Sequence, residues 1–465
     1  MAERLALGAV VVVAVAFRVA LGVGDHGMYW PDELYQSLEP AHGLVYGEGL
    51  LPWEYVDGAR TWVLPGLIAA LLGALRVVGI DEPSTYLVVV QLAFVAVAAA
   101  TVVATFALAR AAGASRWAAV AGASAFALAP PAIYFGHRAL SENVSALAVA
   151  GGLALVLAGG RRLLWLGAAL LAFAVLLRLQ NAIFCGAVLA VLGARRDWPA
   201  LRDAAAAFAA GALALGLLDL ATWGRFLGSA RVYLRENVEE GRASDFGVEP
   251  FGYYAEHLWT SMPELIVVVA ALAIAGAVRR PGLAAVLVAY LLAHSLVEHK
   301  ELRFVLPALP VLFALAAVGA DTLAGRPHQV VLGALVVLGL AGALRADSLT
   351  WGDLGSRSGQ PGTTAWGNFA DVNRLLVHAG GREDLCGLKL EQQDRVWSGG
   401  YAYLHRAVPY YDRREPAASE HFNYVIEPLS SVAPGERVVE RDHAFQLVKV
   451  RDGCVRDPAY AFDRL

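Results

Sequence analysis

The sequence predicts an all-α polytopic membrane protein that carries a small soluble domain of mixed α and β structure at its C-terminal end. The chain has 465 residues and 58% of them are hydrophobic, which is far above the level of an ordinary soluble protein. Apolar runs long enough to cross a bilayer recur up to Ala346. Beyond that point the runs stop and Gly, Asp, Arg and Tyr become common. We therefore expect a membrane domain at 1–346 and an extracytoplasmic soluble domain at 347–465.

Arginines in the connections between the apolar runs predict which side each connection occupies. Arg161/Arg162 and Arg279/Arg280 are examples of pairs that fall in alternate connections. The positive-inside rule places these connections and the N-terminus in the cytoplasm, so the intervening connections and everything after about residue 347 face outward. About eleven runs are predicted to span the membrane: 4–23, 85–109, 117–133, 142–159, 163–177, 181–194, 201–221, 262–278, 282–298, 304–320 and 329–346.

One further apolar stretch, Trp62–Gly79, decides the topology. If it crossed the bilayer, the residues before it would lie on the opposite side from the other outward connections. Pro65, three glycines and Arg76 near its end favour an element that lies at the membrane interface instead. The stretch at 163–194 is about 48 Å long as one helix, so two short spans that meet at a polar turn fit it better.

The first outer loop, 24–84, is the longest chemically varied connection. Its section from Asp25 to Thr61 contains seven carboxylates and six aromatic residues. Long connections with such mixed chemistry are commonly functional. The pair Asp32 and Glu33 could supply a base for a hydroxyl group.

Cations collect at the outer ends of several predicted spans. Ionisable groups at membrane depth are expensive and tend to mark function, although single arginines and lysines also act as interfacial anchors. Such cations could hold a phosphate through charge-assisted hydrogen bonds. Together with the carboxylates, they predict group transfer from a lipid phosphate to a polar acceptor. The cations are Arg138, Arg178, His299, Lys300 and Arg303.

Three segments resemble glycosyltransferase family 22 of the GT-C superfamily. The run PDELYQ at 31–36, followed by Glu39, His42 and Trp53-Glu54, resembles the first outer loop of that family. The run HKELRF at 299–304 is similar to its most distinctive motif, and Arg138 with Leu140-Ser141 resembles its second outer loop. The chain differs from the family pattern at Trp30, where His is usual, and at Pro52, where Thr is usual.

The resemblance implies an inverting transfer of mannose from a polyprenyl-phosphate donor, of the dolichyl-phosphate-mannose type, to a hydroxyl of a glycan or glycolipid. It implies Asp32 as the base, with Glu33 as the alternative. An N-cap role for Asp32 on a helix beginning at Glu33 is also open. The donor phosphate would be held by Arg303, Lys300 and His299, with Arg138 and Arg178 as further candidates. Predicted substrate-binding residues are Glu39, His42, Trp53, Glu54 and Glu301.

Neither a cofactor nor a metal is expected, because the sequence has no His/Cys cluster or paired DxD element. The expected partners are the lipid-linked donor, the acceptor and the bilayer, and no nucleic acid. A transporter or flippase of a lipid-linked glycan is the alternative function, which the long acidic loop and the missing internal repeat disfavour. The active site would lie on the outer face of the plasma membrane in a prokaryote, or on the lumenal face of the ER membrane in a eukaryote. The Ala/Val/Arg/Gly-rich composition favours the prokaryote.

The cysteines and one glycine-rich segment are two smaller features of the sequence. Cys386 and Cys454 share the polar C-terminal part and could pair in an oxidising compartment, whereas Cys185 lies in an apolar run. The segment Trp397–Tyr401 (WSGGY) has no assigned role.

Overall fold

The computed structural model describes residues 1–355, 359–360, 363–415, 417–431, 437–463 and 465. The structure is mostly helical, with 67% of its residues in helices, and has a small sheet near the C-terminus. Each of the eleven apolar runs is helical, with the runs 117–133 and 304–320 each divided into two helical segments, so the predicted fold class is confirmed. Six described helices are long and apolar enough to cross a bilayer, and the others are shorter or interrupted. The number of eleven spans therefore stays a prediction.

The chain divides into two compact units. The first comprises Met1–Val23, Gly58–Thr61 and Leu92–Arg357. The second comprises Gly24–Asp57, Trp62–Gln91 and Ser358–Leu465, and so groups most of the first outer loop with the C-terminal residues. The division into domains at residue 346 stays a prediction.

The helices of the first unit follow the apolar runs. Its described α-helices are Ala2–Gly22, Arg116–Leu128, Pro130–Tyr134, Ser141–Ala158, Arg161–Leu177, Ala182–Ala194, Trp198–Trp223, Gly228–Leu234, Tyr253–Ser261, Pro263–Arg279, Pro281–Leu296, Leu309–Ala320 and Gly325–Ala343, together with most of the long helix Pro83–Ala111. Shorter helical turns occur at Leu179–Asn181, Arg235–Glu239, Arg242–Phe246, Leu302–Ala308 and Ala346–Ser348.

Polar residues and prolines break these helices where the sequence predicts. The helix Arg161–Leu177 ends before Arg178, whose backbone is extended (φ −155°, ψ 118°). Asn181 closes the turn that follows by donating to the carbonyl of Ala174, 2.8 Å away. The predicted polar turn between two short helices is thus confirmed.

A buried arginine donates to a carbonyl that a proline leaves without its helical donor. Pro131 has no N–H, so the carbonyl of Ala127, four residues earlier, lacks its usual helical donor. Arg18 Nη1 donates to that carbonyl at 3.0 Å, and Nη2 donates to the carbonyl of Ala132 at 2.8 Å. The guanidinium, 1% exposed, therefore has polar partners inside an apolar environment.

The second unit combines the helices of the first outer loop with a five-stranded sheet. The strands are β1 Leu388–Leu390, β2 Tyr410–Tyr411, β3 Tyr424–Pro428, β4 Arg437–Asp442 and β5 Phe445–Lys449, in the order β2-β1-β3-β5-β4. β1 is parallel to β2 and β3, and β5 is antiparallel to β3 and β4. The helical segments are Leu34–Leu38, Glu39–Tyr46, Trp53–Val56, Val63–Val77, Ala370–Gly380, Arg395–Trp397, Gly400–Leu404, Ser419–His421 and Leu429–Ser431.

A disulfide links Cys386 to Cys454 with a Cα–Cα distance of 5.8 Å, so the two cysteines that could pair do so. Cys185 is a buried free cysteine. The disulfide encloses all five strands, β1 to β5, because its cysteines flank them along the chain.

The apolar stretch at 62–79 forms the helix Val63–Val77. Its 15 residues span about 23 Å, less than the roughly 30 Å of a bilayer core. Arg76, near its end, donates to the carbonyl of Val45 at 2.6 Å. These features support an interfacial element, and its failure to cross stays a prediction.

We expect Asp57→Cys and Thr364→Cys to react with a membrane-impermeant thiol reagent from the same side of the membrane. The reason is the alternation of arginines, which puts the first outer loop and the C-terminal residues outside. Arg162→Cys, in a predicted cytoplasmic connection, is the control and should react only after permeabilisation. Labelling of Asp57→Cys and Thr364→Cys from opposite sides would contradict the assigned topology.

Candidate functional site

A buried ion network in the first unit brings together several of the predicted site residues. Glu142 lies in the first turn of the helix Ser141–Ala158 and is fully buried. Its Oε1 is 2.6 Å from Nη1 of Arg178 and 3.3 Å from Nη1 of Arg303. Both arginines are almost fully buried, so one carboxylate is shared by two guanidinium groups in a low-dielectric environment.

Arg303 also forms a fork-to-fork pair with Glu301. Its Nε lies 2.7 Å from Oε2, and its Nη2 lies 2.8 Å from Oε1. His299 Nε2 is 3.2 Å from the same Oε1. Burial alone would raise the pKa of Glu301, but Arg303 and His299 favour its charged form and hold the pKa below its usual value.

The ring of Phe304 supports both arginines. The guanidinium carbon of Arg178 is 4.5 Å from the ring centroid, and that of Arg303 is 5.0 Å away. A cation over an aromatic face gains electrostatic attraction, most of all where water is excluded. The run that carries the family resemblance therefore supplies Glu301, Arg303 and Phe304 to one cluster.

The two remaining predicted cations have different surroundings. Arg138 is 1% exposed, and its guanidinium lies over the ring of Tyr134 at 4.3 Å. Lys300 donates through Nζ to the carbonyls of Glu249, at 2.7 Å, and Glu298, at 3.4 Å. Lys300 thus fixes a neighbouring connection, and its predicted contact with phosphate stays a prediction.

Glu142 was not among the residues predicted for the site. The sequence offered one signal, since Glu142 begins a span directly after a polar outer connection that also contains Arg138. Buried arginines need a counter-charge, but sequence alone does not show which carboxylate supplies it.

In the second unit, the predicted base lies at the start of a helix. Helical residues begin at Asp32 itself, one residue earlier than the capping alternative assumed. Glu33 Oε2 accepts the backbone N–H of Tyr29 at 3.0 Å, which ties the preceding turn to the helix. Glu33 is 7% exposed, whereas Asp32 is half-buried and is the more accessible of the two carboxylates.

A single π-turn follows, at Leu34–Leu38, and a proline explains it. Pro40 has no N–H with which to reach the carbonyl of Gln36. The backbone N–H of Glu39 bonds to the carbonyl of Leu34 instead, five residues earlier. The hydroxyl of Tyr55 donates to the carbonyl of Gln36 at 3.0 Å and replaces the missing donor.

Glu39 connects the first outer loop to the WSGGY segment. Its fully buried carboxylate accepts backbone N–H groups from Leu50 at 2.9 Å, Tyr401 at 2.8 Å and Ala402 at 2.7 Å. Burial raises the pKa of Glu39 to about 7, and the three N–H donors partly offset that effect. Gly400 adopts φ +58°, and a Cβ there would collide with this carboxylate. The segment thus has a structural role that the sequence did not reveal.

His42 forms a buried pair with His405. His42 Nδ1 lies 2.7 Å from the carbonyl of Glu48, so this nitrogen must carry the proton and donate it. His42 Nε2 then accepts, and His405 Nδ1 donates across 2.9 Å. Burial lowers the pKa of His42 to about 3, and burial also lowers the pKa of His405.

The last two predicted substrate-binding residues begin the short helix Trp53–Val56. Glu54 Oε1 accepts from Gln36 Nε2 at 2.7 Å, and Trp53 is half-buried. Glu39, His42 and Glu54 thus all contact groups of the protein itself, and their contact with substrate stays a prediction. Among the described residues, no group of three or more His, Cys, Asp or Glu is arranged to hold a metal ion.

Comparison with known sequences identifies related proteins. The family model described as the Alg9-like mannosyltransferase family matches residues 9–348. GPI mannosyltransferase 3 of Yarrowia lipolytica is 32% identical over 333 residues, which are 66% of this chain and 61% of that protein. GPI alpha-1,2-mannosyltransferase 3 of Xenopus laevis is 36% identical over 72 residues, 16% of this chain and 14% of that protein. The matches thus span less than two thirds of the length of these relatives.

Two solved structures share the fold. ArnT from Cupriavidus metallidurans, bound to undecaprenyl phosphate, superposes with a TM-score of 0.63 at 15% identity, covering 95% of this chain and 97% of that one. The Archaeoglobus fulgidus oligosaccharyltransferase has a TM-score of 0.55 at 12% identity, covering 91% and 69%. Both are GT-C enzymes, so the predicted GT-C fold is confirmed.

The histidine pair predicts that His42 makes the fold less stable in acid. Unfolded histidine takes up a proton near pH 6.5, whereas folded His42 does so only near pH 3. Stability from His42 is therefore complete above pH 6.5 and lost as the pH falls. At about pH 5 the loss from this residue should be about 2 kcal/mol. Burial raises the pKa of Glu39, so protonation of Glu39 stabilises the fold over the same pH range. The His42 contribution is therefore measured as the difference in thermal unfolding between about pH 7.5 and about pH 5 for the unmodified protein and for a His42 variant.

His42→Gln should reduce this acid sensitivity, because glutamine does not titrate and its amide can still donate to the carbonyl of Glu48. His443→Gln is the matched control, since the side chain of His443 is 82% exposed. Equal acid sensitivity of His42→Gln and the unmodified protein would refute the assignment.

Proposed function

We propose, since the chain belongs to the Alg9-like mannosyltransferase family, that it transfers mannose from a polyprenyl-phosphate donor to a hydroxyl of a glycan or glycolipid acceptor. The observation that carries the proposal is the buried cluster of Arg178, Arg303, Glu142 and Glu301. Two of its members, Glu301 and Arg303, come from the run at 299–304 that resembles the most distinctive motif of the family. A purely structural membrane protein gains little from burying two arginines on one carboxylate.

The donor phosphate is proposed to contact Arg303 and Arg178, with Arg138, Lys300 and His299 as further donors. Guanidinium groups match phosphate geometry, and both of them contact the ring of Phe304. Preorganised cations stabilise the charge that develops on a leaving phosphate. The undecaprenyl phosphate bound to the ArnT neighbour supports a lipid-phosphate donor.

Asp32 is proposed as the general base. It takes the proton of the acceptor hydroxyl while the oxygen forms a bond to the anomeric carbon of mannose. The bond between that carbon and the phosphate oxygen breaks, and polyprenyl phosphate leaves with the electron pair. Attack opposite the leaving group inverts the anomeric centre, so a β-linked donor gives an α-linked product. Glu33, which holds the turn at Tyr29, is the alternative base.

The acceptor is proposed to be a glycolipid or lipid-linked glycan. Relatives that bear the name GPI mannosyltransferase 3 support this class, and the name alpha-1,2 in one of them supports an α-linked product. Predicted acceptor contacts are Glu39, His42, Trp53, Glu54 and Glu301.

The reaction is proposed to occur on the outer face of the plasma membrane or the lumenal face of the ER membrane. The disulfide between Cys386 and Cys454 supports this side, because disulfides persist in oxidising compartments. The chain is an integral multi-pass membrane protein, and the composition favours a prokaryotic plasma membrane as a prediction only.

We expect Asp32→Asn to lower turnover by roughly 10²–10⁴-fold, the usual contribution of a positioned base. The amide keeps the shape of the side chain, so the thermal midpoint and donor binding should change little. The measurement is transfer of radiolabelled mannose from polyprenyl-phosphate mannose to a lipid-linked acceptor by the purified protein.

Asp57→Asn, at an exposed carboxylate of the same loop, is the control and should retain activity. Glu33→Gln should mainly reduce stability, because it weakens the bond to the N–H of Tyr29. A normal turnover of Asp32→Asn with an inactive but stably folded Glu33→Gln would move the base to Glu33.

We expect Arg303→Lys to raise the KM for the donor lipid about tenfold or more. Lysine keeps the charge but cannot make the forked contact. Arg303→Ala is a weaker test, because it leaves Glu301 without its arginine partner in a buried site and should cost several kcal/mol of stability.

Arg345→Lys is the matched control, because Arg345 forms an ion pair with Glu264 at an exposed position. Its donor KM should equal that of the unmodified protein. An unchanged donor KM in Arg303→Lys would show that the cluster serves the fold alone.

A further inference from the structure

The second unit contains a cavity of about 870 Å³ whose lining includes charged and amide side chains but neither Glu39 nor His42. Gln393 and Asp394 follow strand β1, and Arg413 follows strand β2, which is parallel to β1. Asp371 adds a wall from the first turn of the helix Ala370–Gly380. The cavity thus lies outside the carboxyl ends of two parallel strands, where open α/β sheets commonly bind ligands.

Trp397 of the WSGGY segment gives the cavity an aromatic wall. Its ring stacks on Phe369 with centroids 5.1 Å apart and an interplanar angle of 28°. It meets Trp30 edge-on, with centroids 5.0 Å apart and an angle of 88°. Contacts on two sides fix the orientation of the half-buried indole. Such a ring suits the apolar C–H face of a sugar.

The polar side chains of the lining are held in place. Asp394, 5% exposed, accepts from Arg413 Nε at 2.6 Å and from Nη2 at 3.2 Å. Asp371, 4% exposed, accepts from Gln360 Nε2 at 3.2 Å. Carboxylates, amides and guanidiniums together offer donors and acceptors at fixed positions, which the hydroxyls of a sugar need.

The charged side chains of the lining are held in ion pairs. Arg413 pairs with Asp394, and Arg374 pairs with Asp442 through Nη2 and Oδ1 at 2.9 Å. Each of these two arginines is therefore paired with a carboxylate, and Asp394 also pairs with Arg414. A neutral, hydroxyl-rich ligand can bind beside these ion pairs without displacing either carboxylate.

We propose that this cavity is a binding subsite for the mannose-containing glycan of the acceptor. The inference rests on the proposed function for the identity of the sugar, and on the lining for the class of ligand. The contact between Trp30 and Trp397 joins the cavity to the predicted base, since Trp30 precedes Asp32 by two residues, at most about 7 Å of chain. Trp397 and Gln393 are specificity-determining residues in this arrangement.

The test measures binding and transfer separately on the purified full chain in lipid nanodiscs. Binding of a soluble α-linked mannotriose is followed by saturation-transfer NMR. We expect binding by the unmodified protein and about tenfold weaker binding by Trp397→Ala, because the aromatic wall is lost. Gln393→Ala, at a half-buried position with no ring contact, should also weaken binding and guards against misfolding of the first variant. Trp198→Ala, at a 61% exposed tryptophan of the other unit, should bind normally.

In the transfer assay, Trp397→Ala and Gln393→Ala should raise the acceptor KM and leave the donor KM unchanged. Mannotriose binding that both substitutions weaken supports the subsite, even if the protein transfers no mannose and the proposed function fails. Normal transfer combined with no mannotriose binding, or with binding that neither substitution weakens, overturns the subsite and leaves the proposed function standing.

Discussion

The shared carboxylate of Glu142 is the interaction on which the first unit depends. A charge in an apolar interior costs several kcal/mol unless it is paired, so Arg178 and Arg303 can be buried only with Glu142 and Glu301 in place. The pairing fixes three chain segments at once: the start of the helix Ser141–Ala158, the break after Leu177 and the turn Leu302–Ala308. The residues that make the proposed phosphate site are therefore also the residues that align these segments.

The second unit satisfies the same requirement with backbone groups. The carboxylate of Glu39 is held by three backbone N–H donors from two separate parts of the chain. This arrangement makes the WSGGY segment and the first outer loop mutually dependent, since Gly400 must lack a side chain for the carboxylate to fit. His42 and His405 add a second link between the same two parts of the chain. These contacts connect the part of the chain that carries Asp32 to the part that carries Trp397.

Much of the fold follows from the sequence, because apolar length and proline position are local properties. The helices coincide with the apolar runs, and the break at Arg178 follows from three polar residues in a stretch too long for one span. The partners of buried charges are not local properties. Three contacts depend on residues that are distant in the chain. They are the pairing of Glu142 with Arg178, the hydrogen bond from Arg18 to the carbonyl of Ala127, and the backbone N–H groups that hold Glu39. The candidate site was predicted residue by residue only where a family resemblance supplied what spacing could not.

The π-turn at Leu34–Leu38 has a consequence for how insertions and deletions act on this chain. One residue of an α-helix corresponds to about 100° of rotation about its axis. The turn accommodates one extra residue between Asp32 and the helix Glu39–Tyr46. The backbone N–H groups that bind the Glu39 carboxylate fix the orientation of that helix. Removing one residue from the turn would restore regular helical phase and swing Asp32 by roughly that angle. A chain with every proposed catalytic residue present would then carry its base on the wrong side of the helix.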